Sequence, residues 1–237
     1  MKSIYAIPVD KNERWQYLLL IAAVLVNCSG LFITILGPDG ALYASIAKTM
    51  VQQNNYVELF AEHKDWLDKP HFPFWITALS FKCFGFNTWA YKLPAILFLL
   101  IGAAYTYKLA LLFYKKQVAF WAVIILLTAE HIIISNNDVR AEPYLVGLIT
   151  GAIFHFYVAW KKSSWRHLFA GCLLSACAIM TKGTVAIIPI AGAIGGDLIL
   201  KKNWKALFSI RWLLAVLLIF VFIMPELYCL WYQFDSH

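Results

Sequence analysis

The stretch Trp15 to Leu36, WQYLLLIAAVLVNCSGLFITIL, contains no charged side chain. About 20 mostly apolar residues suffice to cross the hydrocarbon core of a bilayer as a helix. The stretch therefore predicts a membrane span, and the rest of the chain repeats the pattern. Further apolar runs lie at Leu93–Tyr114, Val118–Ser135, Pro143–Trp160, Leu168–Met180, Thr184–Leu200 and Trp212–Trp231. The expected fold class is thus an all-α integral membrane protein with about seven transmembrane helices. The fifth run is short and should borrow residues on both sides, and the third and fourth should form an antiparallel hairpin. Composition agrees: 62% of residues are hydrophobic and 14% charged, which ordinary soluble domains do not show. The aromatic share of 16% fits Trp and Tyr belts at two interfaces. The first span exceeds a secretory h-region in length and lacks a small-x-small cleavage site.

Sidedness follows from Lys and Arg in the short connections. Lys2, Lys11 and Arg14 precede the first span, Lys115 and Lys116 follow the second, and Lys161, Lys162 and Arg166 follow the fourth. Lys201, Lys202 and Lys205 follow the sixth. Every second connection is basic, so the N-terminus is expected in the cytoplasm of a multi-pass cell (inner) membrane protein. The opposite connections hold Asp39, Glu58, Glu62, Asp65, Asp68, Asp138 and Glu142, although the first also holds Lys48, Lys64, Lys69, Lys82 and Lys92. The net charge of +7 is largely this topology signal and calls for no nucleic acid. The cysteines Cys28, Cys83, Cys172, Cys177 and Cys229 show neither metal-site nor disulfide spacing.

The long outer loop, residues 37 to 91, carries the unusual residues. Gly37 and Pro38 stop the first helix, and Asp39 stands at a helix N-cap position. Leu42, Tyr43, Ile46, Ala47 and Met50 then recur at helical spacing, as in an amphipathic helix lying on the membrane surface. Asp68-Lys69-Pro70-His71 follows, and Phe72 to Phe84 is apolar but too short to span, so it reads as a second interfacial helix.

Three motifs in this order resemble the polytopic GT-C glycosyltransferases of the protein-mannosyltransferase and lipid A aminoarabinose-transferase type. They are Asp39-Gly40-Ala41-Leu42-Tyr43, then Asp68-Lys69-Pro70-His71-Phe72-Pro73-Phe74-Trp75 with Phe84-Gly85, and Met180-Thr181-Lys182-Gly183-Thr184. The resemblance extends over the whole chain but only the N-terminal part of the family. Residues 1–237 are therefore expected to be part of a transmembrane domain whose further spans and soluble C-terminal domain lie elsewhere. It implies transfer of a sugar from a polyprenyl-phosphate-linked donor to a glycan, lipid or protein acceptor on the outer, periplasmic face.

That chemistry needs a carboxylate to orient or deprotonate the acceptor and cations to hold the departing phosphate. The resemblance assigns the carboxylate to Asp39, whose bland alternative is a helix cap; Gly40 stands where the family has a second acid. It makes Lys69 the phosphate ligand and Tyr43 a substrate contact. Asp68 matches an acid that binds metal in some relatives, and with His71 beside it a divalent ion is conceivable. Before the fourth span, Glu142 or Asp138 matches a further acid, with Arg140 and Lys182 as additional phosphate ligands. These acids have an alternative too, namely pairing with Arg140 and ending helices. Glu130 and His131 sit near the end of the third span. His155 and Asp197 lie toward the cytoplasm, and Glu226, after Pro225 near the outer face, is a candidate for lining the substrate cavity. A transporter or flippase would instead place polar groups at the bilayer midplane and repeat one half in the other. A non-catalytic membrane scaffold is the remaining reading.

Overall fold

A computed structural model describes residues 13–35, 37–62 and 64–234. The expected basic residues Lys2 and Lys11, and Leu36 at the end of the first apolar run, lie outside the described residues. The described chain is helical apart from one two-stranded hairpin. Its order is α1 (Glu13–Cys28), α2 (Pro38–Gln53), β1 (Phe60–Ala61), β2 (Lys64–Asp65), α3 (Phe72–Phe84), α4 (Thr88–Ala110), α5 (Lys116–Thr128) and α6 (Glu130–Asn137). Then come α7 (Ala141–Lys162), α8 (Trp165–Lys182), a 3-10 turn (Thr184–Ala186), α9 (Ile187–Leu200), α10 (Trp204–Leu207) and α11 (Ile210–Phe234).

By length and apolar character, α4, α7 and the α10–α11 run qualify as spans, with α5 and α6 a fourth if taken together. Helix α1 and the run Thr184–Leu200 are apolar but shorter. The centre of the bundle is α7, which packs on α4 and α8. The expected hairpin of the third and fourth runs is not the principal packing: α5 lies on α4, and only short α6 borders α7. The fifth run does borrow flanking residues, extending to Trp165 and Lys182.

The first run stops helically at Cys28, short of the expected Leu36. Other side chains take up the carbonyls freed there. Asn136 Nδ2 donates to Asn27 O at 3.0 Å, and the buried Lys92 ammonium donates to Gly30 O at 2.8 Å and Ile33 O at 3.0 Å. The third run is also broken, with α5 and α6 meeting at 53° around Ala129. Neither Pro nor Gly lies at this bend. Buried Asn27 instead reaches over from α1 and donates to Leu127 O at 2.7 Å, and an inserted side chain is a recognised cause of kinks.

The outer loop forms its two surface helices with one difference from expectation. Gly37 is the cap residue of α2 and Pro38 occupies its first turn, so Asp39 lies inside that turn instead of capping it. Helix α2 ends at Asn54 in the left-handed region, φ 51°, and α3 ends at Gly85, φ 79°. Asn87 caps α4, its Oδ1 accepting from Ala90 N at 2.9 Å. Several of the outer lysines that blurred the charge asymmetry are internally engaged. Lys92 is bound as above, Lys48 lies over the Phe86 ring, and Lys82 lies over Tyr56.

Candidate active site

Helix α2, the starts of α3, α4 and α7 and the end of α8 enclose a narrow pocket together with the 68–70 segment and the 138–140 turn. Its walls include Tyr43, Lys69, Arg140, Tyr91, Tyr144 and Thr181. Three residues singled out from motifs far apart in sequence therefore meet at one opening. Tyr43 is placed by the α2 face that buries Ile46, Ala47 and Met50, and its ring stands edge-on to Phe74 at 5.7 Å. Asp39 sits one helical turn before Tyr43, and positions i and i+4 share a face. Its side chain is exposed.

The cations come with acids beside them. Lys69 Nζ lies 2.8 Å from Asp68 Oδ2, Arg140 Nε donates to Asp138 Oδ2 at 2.9 Å, and Lys182 Nζ donates to Glu142 Oε1 at 2.7 Å. The Lys69 amine is held above its ordinary value, first by that hydrogen bond to Asp68 and then by the charges of Tyr43, Asp68 and Asp39. Arg140 is likewise raised, first by its bond to Asp138, with further help from Asp39 and Glu142. The Tyr43 phenol is raised mainly by burial, Lys69 opposing and Asp39 adding to the shift. Asp39 thus acts electrostatically on Tyr43, Lys69 and Arg140 together. Arg140 uses Nε for Asp138, and among the described residues its Nη groups remain for another acceptor.

The 138–140 turn is built tightly. Val139 has φ 55°, a rare conformation for a β-branched residue, and its side chain is buried. Below it the chain passes directly over α2. A Cβ at Gly40 would lie 2.5 Å from Asp138 O, so the acid that the family carries there has no room in this chain. Asp138 itself is pressed against Gly37, where a Cβ would lie 1.9 Å from its Oδ1. Its Oδ2 accepts from Arg140 Nε, while Glu142 pairs with Lys182 at the neighbouring helix ends.

The pairing of Asp68 with His71 as metal ligands is corrected. His71 is 1% exposed, with Nδ1 3.0 Å from Glu226 Oε1 and Nε2 2.8 Å from Val57 O, and Asp68 pairs with Lys69. Both ring nitrogens are occupied, and no cluster of three or more His, Cys, Asp or Glu side chains suited to a metal exists among the described residues. Among the described residues, Asp68 and His71 do not fit a metal centre.

Sequence reading missed Tyr91, and it named Glu226 without its partners in the outer loop. The Tyr91 side chain is 1% exposed, and its hydroxyl has no hydrogen-bond partner among the described residues. Aromatic residues near a membrane interface are too common for that position to stand out. Glu226 is buried against the outer loop, and the only signal was a carboxylate inside an apolar run. Glu130 and His131 are outside the pocket walls, and His155 pairs with His167 and Tyr105, at Nδ1–Nδ1 2.9 Å and Nε2–Oη 3.0 Å.

A family model described as dolichyl-phosphate-mannose-protein mannosyltransferase matches residues 68–229. The undecaprenyl phosphate-alpha-4-amino-4-deoxy-L-arabinose arabinosyl transferase of Erwinia tasmaniensis is 25% identical over 208 residues, covering 86% of this chain and 34% of the relative. The Yersinia pestis protein of the same name is 24% identical over 231 residues, covering 90% of this chain and 38% of its own. The chain thus spans about a third of the length of these curated relatives. The crystal structure of ArnT from Cupriavidus metallidurans in the apo state superposes with a TM-score of 0.80 at 21% identity, covering 94% of this chain and 43% of that one. The same protein bound to undecaprenyl phosphate gives 0.81, covering 94% and 42%.

Proposed function

The chain belongs to the dolichyl-phosphate-mannose-protein mannosyltransferase family, and from that premise we propose that it serves a glycosyltransferase acting on a polyprenyl-phosphate-linked sugar. The observation that carries this reading is the convergence of Tyr43, Lys69 and Arg140 on one pocket. Asp39 stands exposed beside it. The Erwinia and Yersinia relatives are named for an undecaprenyl phosphate donor, which supports the same class of donor here.

In the proposed reaction the acceptor hydroxyl oxygen attacks the anomeric carbon from the face opposite the phosphate. A carbon–oxygen bond forms there, the bond to the phosphate oxygen breaks, and the configuration inverts. The phosphate leaves with the electron pair, and Asp39 takes the acceptor's proton. Lys69 and the free Nη groups of Arg140 meet the phosphate oxygens as negative charge grows on them. Asp68 and Asp138 keep those cations charged and aimed until the phosphate shares them. Lys182, paired with Glu142, supplies further positive charge at the rim. The basic short connections support an outer, periplasmic location for this end of the bundle, with a glycan, lipid or protein acceptor arriving there.

The test is sugar transfer from a polyprenyl-phosphate donor by the protein at the full length that its gene encodes, in wild-type and Asp39→Asn forms. Loss of a general base lowers turnover by roughly 10²–10⁴-fold, and that is the expected outcome for Asp39→Asn. Unchanged turnover removes Asp39 from the chemistry.

A further inference from the structure

Helix α11 is exposed along most of its length. Its buried side chains are Ala215, Glu226, Cys229 and Gln233. Two of these are polar and lie two turns apart on one face, and both reach for the outer loop. Glu226 Oε2 accepts from the backbone N of His71 at 3.0 Å, while Oε1 faces His71 Nδ1 at 3.0 Å. Gln233 Oε1 accepts from Leu59 N at 3.0 Å, and its Nε2 donates to Leu59 O at 2.9 Å and Asp65 Oδ1 at 3.1 Å.

The histidine joins these contacts into one structure. Val57 O can only accept, so His71 Nε2 donates to it at 2.8 Å. A bare Nδ1 would repel the facing carboxylate oxygen, so a proton also lies between Nδ1 and Oε1. Trp75 closes the back of the ring at 5.3 Å between centroids, and its own Nε1 donates to Tyr56 O at 2.8 Å. The loop is therefore fixed at residues 56, 57, 59, 65 and 71. Lys69 precedes His71 by two residues, with rigid Pro70 between them.

We infer that Glu226 and Gln233 are positioning residues, which set the height and direction of Lys69 at the pocket through His71 and the loop backbone. This rests on the reading of Lys69 as a donor-phosphate ligand. A carboxylate and an amide buried on an apolar helix are costly unless fully bonded, and here their bonds end on the loop. Replacing Glu226 by Leu leaves the His71 N–H and Nδ1 without their acceptors inside the protein.

The test uses the full-length gene product in lipid nanodiscs, with Glu226→Leu, Glu226→Gln, Gln233→Leu, Lys69→Met and Glu226→Leu/Lys69→Met. Amide hydrogen exchange at Leu59 and His71 reports the attachment without any substrate. Exchange at His71 should accelerate in Glu226→Leu, and at Leu59 in Gln233→Leu. Steady-state transfer from an undecaprenyl-phosphate sugar reports the consequence. Glu226→Leu should raise the donor KM by roughly tenfold, as expected when a buried charged hydrogen bond is lost. The double variant should be no worse than Lys69→Met, since residues acting through one group are non-additive. Glu226→Gln keeps an acceptor for the His71 N–H and should recover most of the loss. If Glu226→Leu fails to accumulate, Gln233→Leu combined with Lys69→Met supplies the same cycle. Unchanged exchange at both amides overturns the attachment. Additive losses overturn the positioning role and leave a purely structural one. Full transfer by Lys69→Met alone identifies the failure as that of the phosphate-ligand reading, and the positioning role falls with it.

Discussion

Helices α7 and α11 are both long apolar helices, yet they are held in place by different means. Half of the apolar window of α7 is buried inside the protein, against 6% for the α10–α11 run. Helix α7 meets its neighbours through small residues: a Cβ at Gly147 would lie 2.5 Å from Phe98 O, and one at Gly102 would lie 2.6 Å from Val146 Cγ1. Helix α11 has Glu226 and Gln233 bonded to the outer loop instead. In lipid, apolar side chains gain little by leaving the solvent, so association depends on close packing or polar bonds. The described helices use close packing around α7 and polar bonds on α11, where those bonds also hold the loop that bears Lys69.

Close packing around α7 is most sensitive at Gly147. A Leu there must displace the α4 backbone, and overpacking of this kind costs about 1–3 kcal/mol or more. Gly147→Leu should therefore lower the melting temperature and the yield of monodisperse protein. Gly192→Leu should not, because nothing lies within 4 Å of the corresponding Cβ. Equal damage from both would refute close packing as the distinction.

Asn27→Leu probes an intermediate case, in which a polar group joins helices within the packed bundle. It leaves Leu127 O unpartnered where α5 and α6 bend, at a cost of about 1–3 kcal/mol. A melt indistinguishable from wild type would mean that the bend needs no such bond. The smallest effect belongs to Lys182→Ala. Its pair with Glu142 is 43% exposed on the lysine side, and exposed pairs are worth roughly 0–1 kcal/mol. A larger shift in melting would show that polar contacts here stabilise whether buried or not.

Much of the fold was legible because hydropathy reports on the lipid directly. The runs at Leu93, Pro143 and Trp212 became α4, α7 and α11, and Phe72 to Phe84 became α3 with the expected ends. What hydropathy could not show was where a run breaks. Cys28 and Ala129 have no Pro beside them, and the breaks depend on Asn136, Lys92 and Asn27 arriving from elsewhere in the chain. The candidate site was legible in part for a related reason. Motif resemblance named Tyr43, Lys69 and Arg140, which share a pocket. It also suggested His71 as a metal ligand, because adjacency to Asp68 in sequence concealed a side chain turned toward Glu226, 155 residues away. Pairing across that separation leaves no local pattern to read.

Under the proposed function, Lys69 and its pocket receive a polyprenyl phosphate. The most direct measurement is equilibrium binding of undecaprenyl phosphate to the full-length protein in nanodiscs, comparing wild type with Lys69→Met. Loss of a charge-assisted contact to phosphate should weaken binding by about tenfold or more, while the melting temperature stays near that of the wild type. Equal affinity in a folded Lys69→Met protein would contradict the account.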